Sequence, residues 1–431
     1  MIFYKKRDEL VRQADHVSRF DAESDKREAM YGLPKNVAFC TRCVISNQRP
    51  NSTVEFEHTP NSNKTTIFLD DKGVCDACRT AEAKRSEIDW HQREAQLWEL
   101  CDRYRKDGVG YDCLVPGSGG KDSFYAAHVL KHKYGMSPLT VTWAPLQYTD
   151  IGFENYKAMC AAGFTNLMCY PNGKVHAKLA RLCLEELGDA FHVFVLGQVS
   201  YAFHIAAKFG IELVMFGENG EAEYAGNPEV VDVPFISSEK WTNIYFKGNN
   251  LKKLIQYGID NKDYINEGDF SEADLKFYSP PPVEEMEAAG IKGKHFFGYY
   301  KKWSPQESYY YAAENTGFKA NKERTEGTYT KYASLDDKMD GMHYFMKYIK
   351  FGFARTTDDC SHEVRDGHIS REEAVALVNR YDGEFPKKYY QDFLDFLDIS
   401  DEHFWQVADE YRLNHIWDKT EDGWKLKTKV K

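Results

Sequence analysis

Long apolar runs are missing from this chain. No segment approaches the 18 or so consecutive apolar residues of a membrane-crossing helix, so no membrane span is expected. The opening segment, MIFYKKRDELVRQADHVSRF, holds no apolar stretch of the secretory type, and the expected location is the cytoplasm. Positive charge is also short, with 56 Lys+Arg against 67 Asp+Glu and a formal net charge of −11. A protein that gripped RNA or DNA by neutralising phosphates would be basic, and no Lys/Arg-rich stripe stands out, so no nucleic-acid partner is expected. Internal repeats and low-complexity tracts are absent as well.

What is present is the material of a large folded core. The 431 residues are 42% hydrophobic and 15% aromatic, a globular composition with length for about three domains. Ten cysteines in a chain expected to stay reduced suggest metal or redox chemistry wherever they cluster. Four do, as Cys40-Thr-Arg-Cys43 and Cys75-Asp-Ala-Cys78. The six scattered ones (Cys101, Cys113, Cys160, Cys169, Cys183, Cys360) read as small buried hydrophobes. Two CxxC pairs suit a closed tetrahedral Zn²⁺ site of four thiolates, with no open position and hence a structural role. Their separation exceeds the simple template, but they flank a candidate hairpin with a strand at Thr65–Leu69. An iron–sulfur cluster is the alternative; zinc is preferred.

From Tyr111 onward short apolar runs alternate with amphipathic ones. Strands are expected at Tyr111–Val115, Leu139–Ala144, Thr165–Tyr170 and Ile211–Phe216. Helices are expected at Lys121–Tyr134, Phe153–Ala162, Lys174–Leu187 and Val199–Phe209, after an earlier one at Thr80–Lys106. That order predicts an α/β fold with a doubly wound parallel sheet. The expected organisation is a helical extension (1–35), a four-cysteine zinc module (36–95), a nucleotide domain (96–227), an irregular substrate-site insertion (228–335) and a helical C-terminal region (336–431). Ser370-Arg-Glu-Glu reads as a capping box, and Pro386 as the opening of a further helix.

The most informative segment is Pro116-Gly-Ser-Gly-Gly-Lys-Asp-Ser123, lying where a strand meets a helix. Glycine-rich backbone and an uncapped helix N-terminus make an anion site there; Ser118 and Ser123 add hydroxyls and Lys121 adds charge. A Walker A loop is excluded, because it needs glycine at Val115 and Ser/Thr at Asp122. The segment resembles the SGGxDS signature of the PP-loop ATP pyrophosphatases, which have an adenine nucleotide alpha hydrolase-like fold. That resemblance implies ATP bound through Ser118, Gly119, Gly120, Lys121, Asp122 and Ser123, cleaved between the α and β phosphates. The later Gly217-Glu-Asn-Gly-Glu-Ala-Glu run is similar to the acidic loop of asparagine-synthetase-like members, making Glu218 the candidate carboxylate for Mg²⁺. Glu221 and Glu223 read equally well as a solvated acidic loop.

Two classes of PP-loop enzyme combine with cysteine pairs: tRNA thiolation and amidation of a small molecule. The acidic balance and the lack of a relay cysteine pair after the loop weigh against the first. The segment Tyr348-Ile-Lys-Phe-Gly-Phe-Ala-Arg-Thr-Thr-Asp-Asp-Cys-Ser-His-Glu-Val-Arg, followed by Gly367-His-Ile-Ser-Arg-Glu-Glu, resembles the N-acetyl sugar amidotransferase family. The CTRCV…GVCDAC pairs and the PGSGGKDS loop are similar to the same family, covering about residues 36 to 385. The likeness implies conversion of an acetamido group to an acetamidino group on a bacterial surface sugar, in lipopolysaccharide O-antigen or nonulosonic acid pathways.

Asp122 and Lys121 are then the expected catalytic residues, with Lys350 and Arg355 as candidates for phosphate or substrate carboxylate charge. Asp358 and Asp359 are candidates for a metal or for orienting Arg355, while His343, His362 and His368 read as exposed or satisfied. No cysteine occupies a glutaminase setting. The family implies separate partners, a glutaminase and a cyclase-like ammonia-channel subunit. A non-enzymatic zinc scaffold is the remaining, weaker reading.

Overall fold

Alternation of side chains along a strand decides which face of a sheet each residue covers. In β1 (Cys113–Pro116), Leu114 packs into one core while Cys113 and Val115 pack into another. The same division recurs in β4 (Leu213–Phe216), with Val214 on one side and Leu213 and Met215 on the other. Both faces are therefore covered. Helices Gly173–Leu187 and His192–Phe209 lie on the first, and Lys121–His132, Trp90–Tyr104 and Pro305–Asn315 on the second. The computed structural model describes residues 33–50, 66–106, 108–224, 231–245 and 251–431. The expected N-terminal helical extension and most of the polar stretch after Asn47 lie outside them.

Four expected strands are present with trimmed ends: β1, β2 (Pro138–Trp143), β3 (Asn166–Cys169) and β4. With β5 (Phe235–Ser237) and β6 (Gly293–Phe296) they form a six-stranded sheet in the order β3-β2-β1-β4-β6-β5. All neighbours are parallel except β5, which runs antiparallel to β6. Order reverses between β1 and β4, the switch point where ligands of open α/β sheets bind.

Several expectations are corrected. The 228–335 region is not merely an irregular insertion, because it supplies β5 and β6 to the main sheet, along with helices such as Leu251–Asn261 and Pro305–Asn315. Its Tyr-rich composition hid a strand as short as Gly-Lys-His-Phe. The single helix expected at Thr80–Lys106 is two, Asp76–Ser86 and Trp90–Tyr104. Asp89 separates them by accepting hydrogen bonds from the His91 and Gln92 N–H groups, a side-chain N-cap that outcompetes continuation. The Thr65–Leu69 strand is reduced to isolated bridges, Pro50 to Thr66 and Leu69 to Cys75.

The C-terminal region is helical as expected. The Ser370 capping box is formed, with Ser370 Oγ accepting from Glu373 N–H and the Glu373 carboxylate accepting from Ser370 N–H. The next helix starts at Tyr390 rather than at Pro386, and a hairpin, β7 (Trp417–Thr420) with β8 (Gly423–Leu426), follows the last helix. No described helix is long and apolar enough to cross a membrane.

Candidate active site and metal centre

The loop after β1 sits at the switch point. Gly119 has φ +93, and a Cβ there would lie 2.7 Å from the Tyr156 nitrogen, so only glycine fits. Gly120 caps helix Lys121–His132 without any side-chain hydrogen bond. The first N–H groups of that helix have no intrahelical acceptor and suit an anion. The loop is anchored to β2, as Gly117 N–H donates to Val141 O at 2.9 Å and the Thr142 hydroxyl to Gly117 O at 2.6 Å. Ser123 turns inward, its hydroxyl donating to Gly120 O at 3.0 Å. Ser118 faces the Asp336 carboxyl, whose pKa burial raises.

Beside the loop lies a cavity of about 370 Å³. Lys121 and Asp122 open into it, with Lys121 Nζ 2.5 Å from Asp122 Oδ2. Trp303, 6% exposed, donates from Nε1 to the other carboxylate oxygen at 2.9 Å. Glu218, at the end of β4, lines the same cavity; burial, and then the nearby Asp122 charge, raise its pKa to about 7. Two carboxylates repelling beside the glycine loop form a site suited to a divalent cation. Glu223, read as part of a solvated loop, is instead buried at 7% exposure and paired with Lys84. The Glu221 side chain lies outside the described residues.

The far wall comes from the C-terminal region. Arg355 donates from Nε to Asp359 Oδ1 at 2.9 Å and from Nη1 to the Tyr344 hydroxyl at 2.6 Å. Asp358 accepts from Arg49 Nη1 at 2.8 Å on one oxygen and from Lys347 on the other. Burial opposes the Asp358 charge, yet Lys347 and Arg49 together hold its pKa below the usual value. Asp358 occupies the first turn of helix Arg355–Asp366, where the helix dipole favours negative charge.

Lys350 does not line the cavity, which corrects its expected role. Its ammonium donates to Leu187 O at 2.7 Å, at the end of helix Gly173–Leu187. Lys347, three positions earlier, is the lysine that reaches the site. His343 bonds Asp189 and His368 bonds Glu363. His362 is buried against Tyr224 and Trp303, with ring centroids at 4.5 and 5.3 Å, and its Nε2 has no partner, so it is neither exposed nor fully satisfied. Sequence reasoning missed Arg49, Trp303, Tyr344 and Lys347, because Arg49, Trp303 and the helix Asp340–Phe351 that carries both Tyr344 and Lys347 reach the cavity from separate segments without a motif.

The cysteine quartet closes as expected. All four sulfurs lie within 4.8 Å of one another and all are buried. Cys43 Sγ is 3.7 Å from Cys75 Sγ, and Cys40 Sγ 4.0 Å from Cys78 Sγ. Zn–S bonds of about 2.3 Å in a tetrahedron place sulfurs about 3.8 Å apart, so the four fit one ion. A cluster of several irons would need them spread wider. Cys40 Sγ accepts from the N–H groups of Arg42, Cys43 and Cys75 at 3.3–3.4 Å, donors that favour thiolate. The quartet is the only such metal-capable group among the described residues. Of the six other cysteines, Cys101, Cys113, Cys183 and Cys360 are buried as expected, while Cys169 is half-buried and Cys160 exposed.

Comparison with known proteins gives one family match. Residues 326–431 match the model described as "LPS biosynthesis protein WbpG-like, C-terminal domain". An uncharacterised protein of Methanocaldococcus jannaschii is 32% identical over 84 residues, 20% of this chain and 29% of that protein's length, so the chain spans under a third of this relative. Among solved structures, an NH3-dependent NAD synthetase from Campylobacter jejuni in complex with the nitrate ion is 14% identical, covering 47% of this chain and 95% of that one, with a TM-score of 0.26. So loose a superposition adds nothing to the sheet order given above. The segment that builds the cavity's far wall lies within residues 326–431, the part of the chain that matches this lipopolysaccharide-biosynthesis model.

Proposed function

We propose that this chain is an ATP-dependent amidotransferase that converts an acetamido group of a bacterial surface sugar into an acetamidino group. One observation carries the reading: the glycine loop with Asp122 and Glu218 opens into a cavity whose opposite wall is the lipopolysaccharide-type domain. Arg355, Lys347, Asp358, Asp359 and Glu363 all face it from residues 326–431. The glycine loop and the segment that matches the lipopolysaccharide-biosynthesis model thus face one chamber, which supports the reading.

The chemistry needs both halves. An amide carbonyl is a poor electrophile, and ammonia does not displace its oxygen unaided. The amide oxygen would attack the α-phosphorus of ATP, forming an O–P bond as the bond to pyrophosphate breaks. Ammonia would then add to the activated carbon, losing a proton, and AMP would leave with the former amide oxygen. The loop N–H groups and Lys121 would hold the departing pyrophosphate. Asp122 and Glu218 would hold Mg²⁺, which neutralises phosphate charge when bound. Trp303 fixes the Asp122 carboxylate, and Arg355 with Lys347 would orient the sugar. The cysteine quartet would hold one Zn²⁺ as a structural ion. Ammonia would come from separate glutaminase and channel-forming subunits.

The test is mass spectrometry of candidate acetamido sugars incubated with the chain, ATP, Mg²⁺ and ammonium. The expected product is lighter by the difference between an oxygen atom and an NH group, with AMP and pyrophosphate released together. Release of ADP and orthophosphate instead would overturn the reading.

A further inference from the structure

Arg49, six residues after Cys43, lines the cavity, and the four-cysteine module packs against the helix that follows Glu218. Helix Asp76–Ser86, which starts on the second Cys pair, carries Lys84 to an ion pair with Glu223; the two side chains are 16% and 9% exposed. Glu223 belongs to the short helix Gly220–Tyr224, which directly follows Glu218. Arg365 seizes the same helix from behind, donating from Nη2 to Glu223 O at 2.8 Å.

The segment after the first Cys pair reaches the next residue of that helix, Tyr224. Arg49 lies on the segment just after Cys43, with its guanidinium 5.2 Å from the centre of the Tyr224 ring while it pairs with Asp358. Arg49 Nε is buried and has no partner. The two Cys pairs thus reach adjacent residues, Glu223 and Tyr224, at the C-terminal end of the helix that follows Glu218.

We infer that the four-cysteine module is a positioning element of the phosphate site, with Lys84 and Arg49 holding helix Gly220–Tyr224, and through it Glu218, against Asp122. A module needed only for folding could pack this contact with apolar groups, which bury at lower cost than an ion pair. Charged pairs instead fix one register between module and loop. The inference rests on the reading that Mg·ATP occupies the loop.

Calorimetric titration of the full chain with a non-hydrolysable ATP analogue, with and without Mg²⁺, tests it. In Lys84→Met/Glu223→Met an apolar pair replaces the ionic one. Metal content and melting midpoint should stay at wild-type values, as should affinity without Mg²⁺. Affinity with Mg²⁺ should fall about tenfold, equivalent to about 1.4 kcal/mol. Lys84→Arg should retain wild-type binding. Arg49→Met reads the second grip, with the same selective loss expected, and decides the matter if the double variant does not fold. Wild-type Mg²⁺-dependent affinity in the folded variants, or an equal loss without Mg²⁺, overturns the inference alone. No binding by the wild-type chain removes the ATP reading and this inference with it.

Discussion

The indole Nε1 of Trp303 donates to Asp122 Oδ1 at 2.9 Å, leaving Oδ2 to Lys121. One carboxylate is thereby held between a neutral donor and a cation at the mouth of a phosphate loop. Trp303 precedes helix Pro305–Asn315 in a part of the chain with no recognisable motif, so this contact exists only in the folded state.

Trp303→Phe keeps the aromatic wall and removes the donor. A hydrogen bond to a charged group contributes about 1.5–3 kcal/mol, so AMP formation should fall tenfold or more with the fold intact. Asp122→Ala should abolish turnover. The measurement is steady-state AMP release alongside circular dichroism; full activity in Asp122→Ala would contradict the assignment of this carboxylate.

Lys350 and Lys347 should separate stability from chemistry. Lys350→Met leaves the buried Leu187 carbonyl without its donor, at a cost of about 1–3 kcal/mol in unfolding free energy, while the folded enzyme keeps its activity. Lys347→Met should instead suppress turnover. Denaturant unfolding and activity, measured on both, should move in opposite patterns.

Removing the metal should act through folding. Cys75→Ser leaves three thiolates for a tetrahedral ion, so the purified protein should lose zinc and solubility together. Elemental analysis showing iron and sulfide in the wild-type chain would refute the zinc reading.

Acid sensitivity should trace in part to His176. It is 2% exposed, bonded through Nδ1 to the Tyr278 hydroxyl at 2.6 Å, and burial lowers its pKa to about 3. The unfolded chain takes up a proton near the ordinary imidazole value while the native state refuses it. Stability from this group is therefore present at neutral pH and declines as pH falls from about 6.5 toward 3, by at most about 1.4 kcal/mol per pH unit. His176→Asn should flatten the melting temperature against pH between about 6 and 4.

Nitrogen supply gives the last test. With glutamine as sole donor the purified chain should form no amidine, because no cysteine stands in a glutaminase setting. Ammonium should support turnover, increasingly as pH rises and free ammonia grows. Robust product from glutamine alone, lost when one cysteine is replaced, would reveal an internal glutaminase.

Local patterns were enough for much of this molecule. The strand–loop–helix at Pro116–Ser123 was legible because a phosphate loop needs glycines, hydroxyls and a helix start in one contiguous run. The two CxxC pairs were legible because a thiolate site draws its ligands in pairs, and β1, β2 and β4 because strands buried on both faces are mostly apolar. Local chemistry also misled where distant partners intervened. Nothing near Lys350 in the sequence says that it caps a helix ending at Leu187, and nothing near Glu223 says that Lys84 will neutralise it. Edge strand β5 has only three residues and its neighbour β6 reads Gly-Lys-His-Phe, so neither shows an apolar run, and their pairing comes from the sheet edge they meet. Which side chains share the cavity was decided by tertiary structure alone. Arg49, Trp303, Lys347 and Asp358 come from four separate segments, and the free energy that brings them together lies in packing between those segments, which no local run of residues contains.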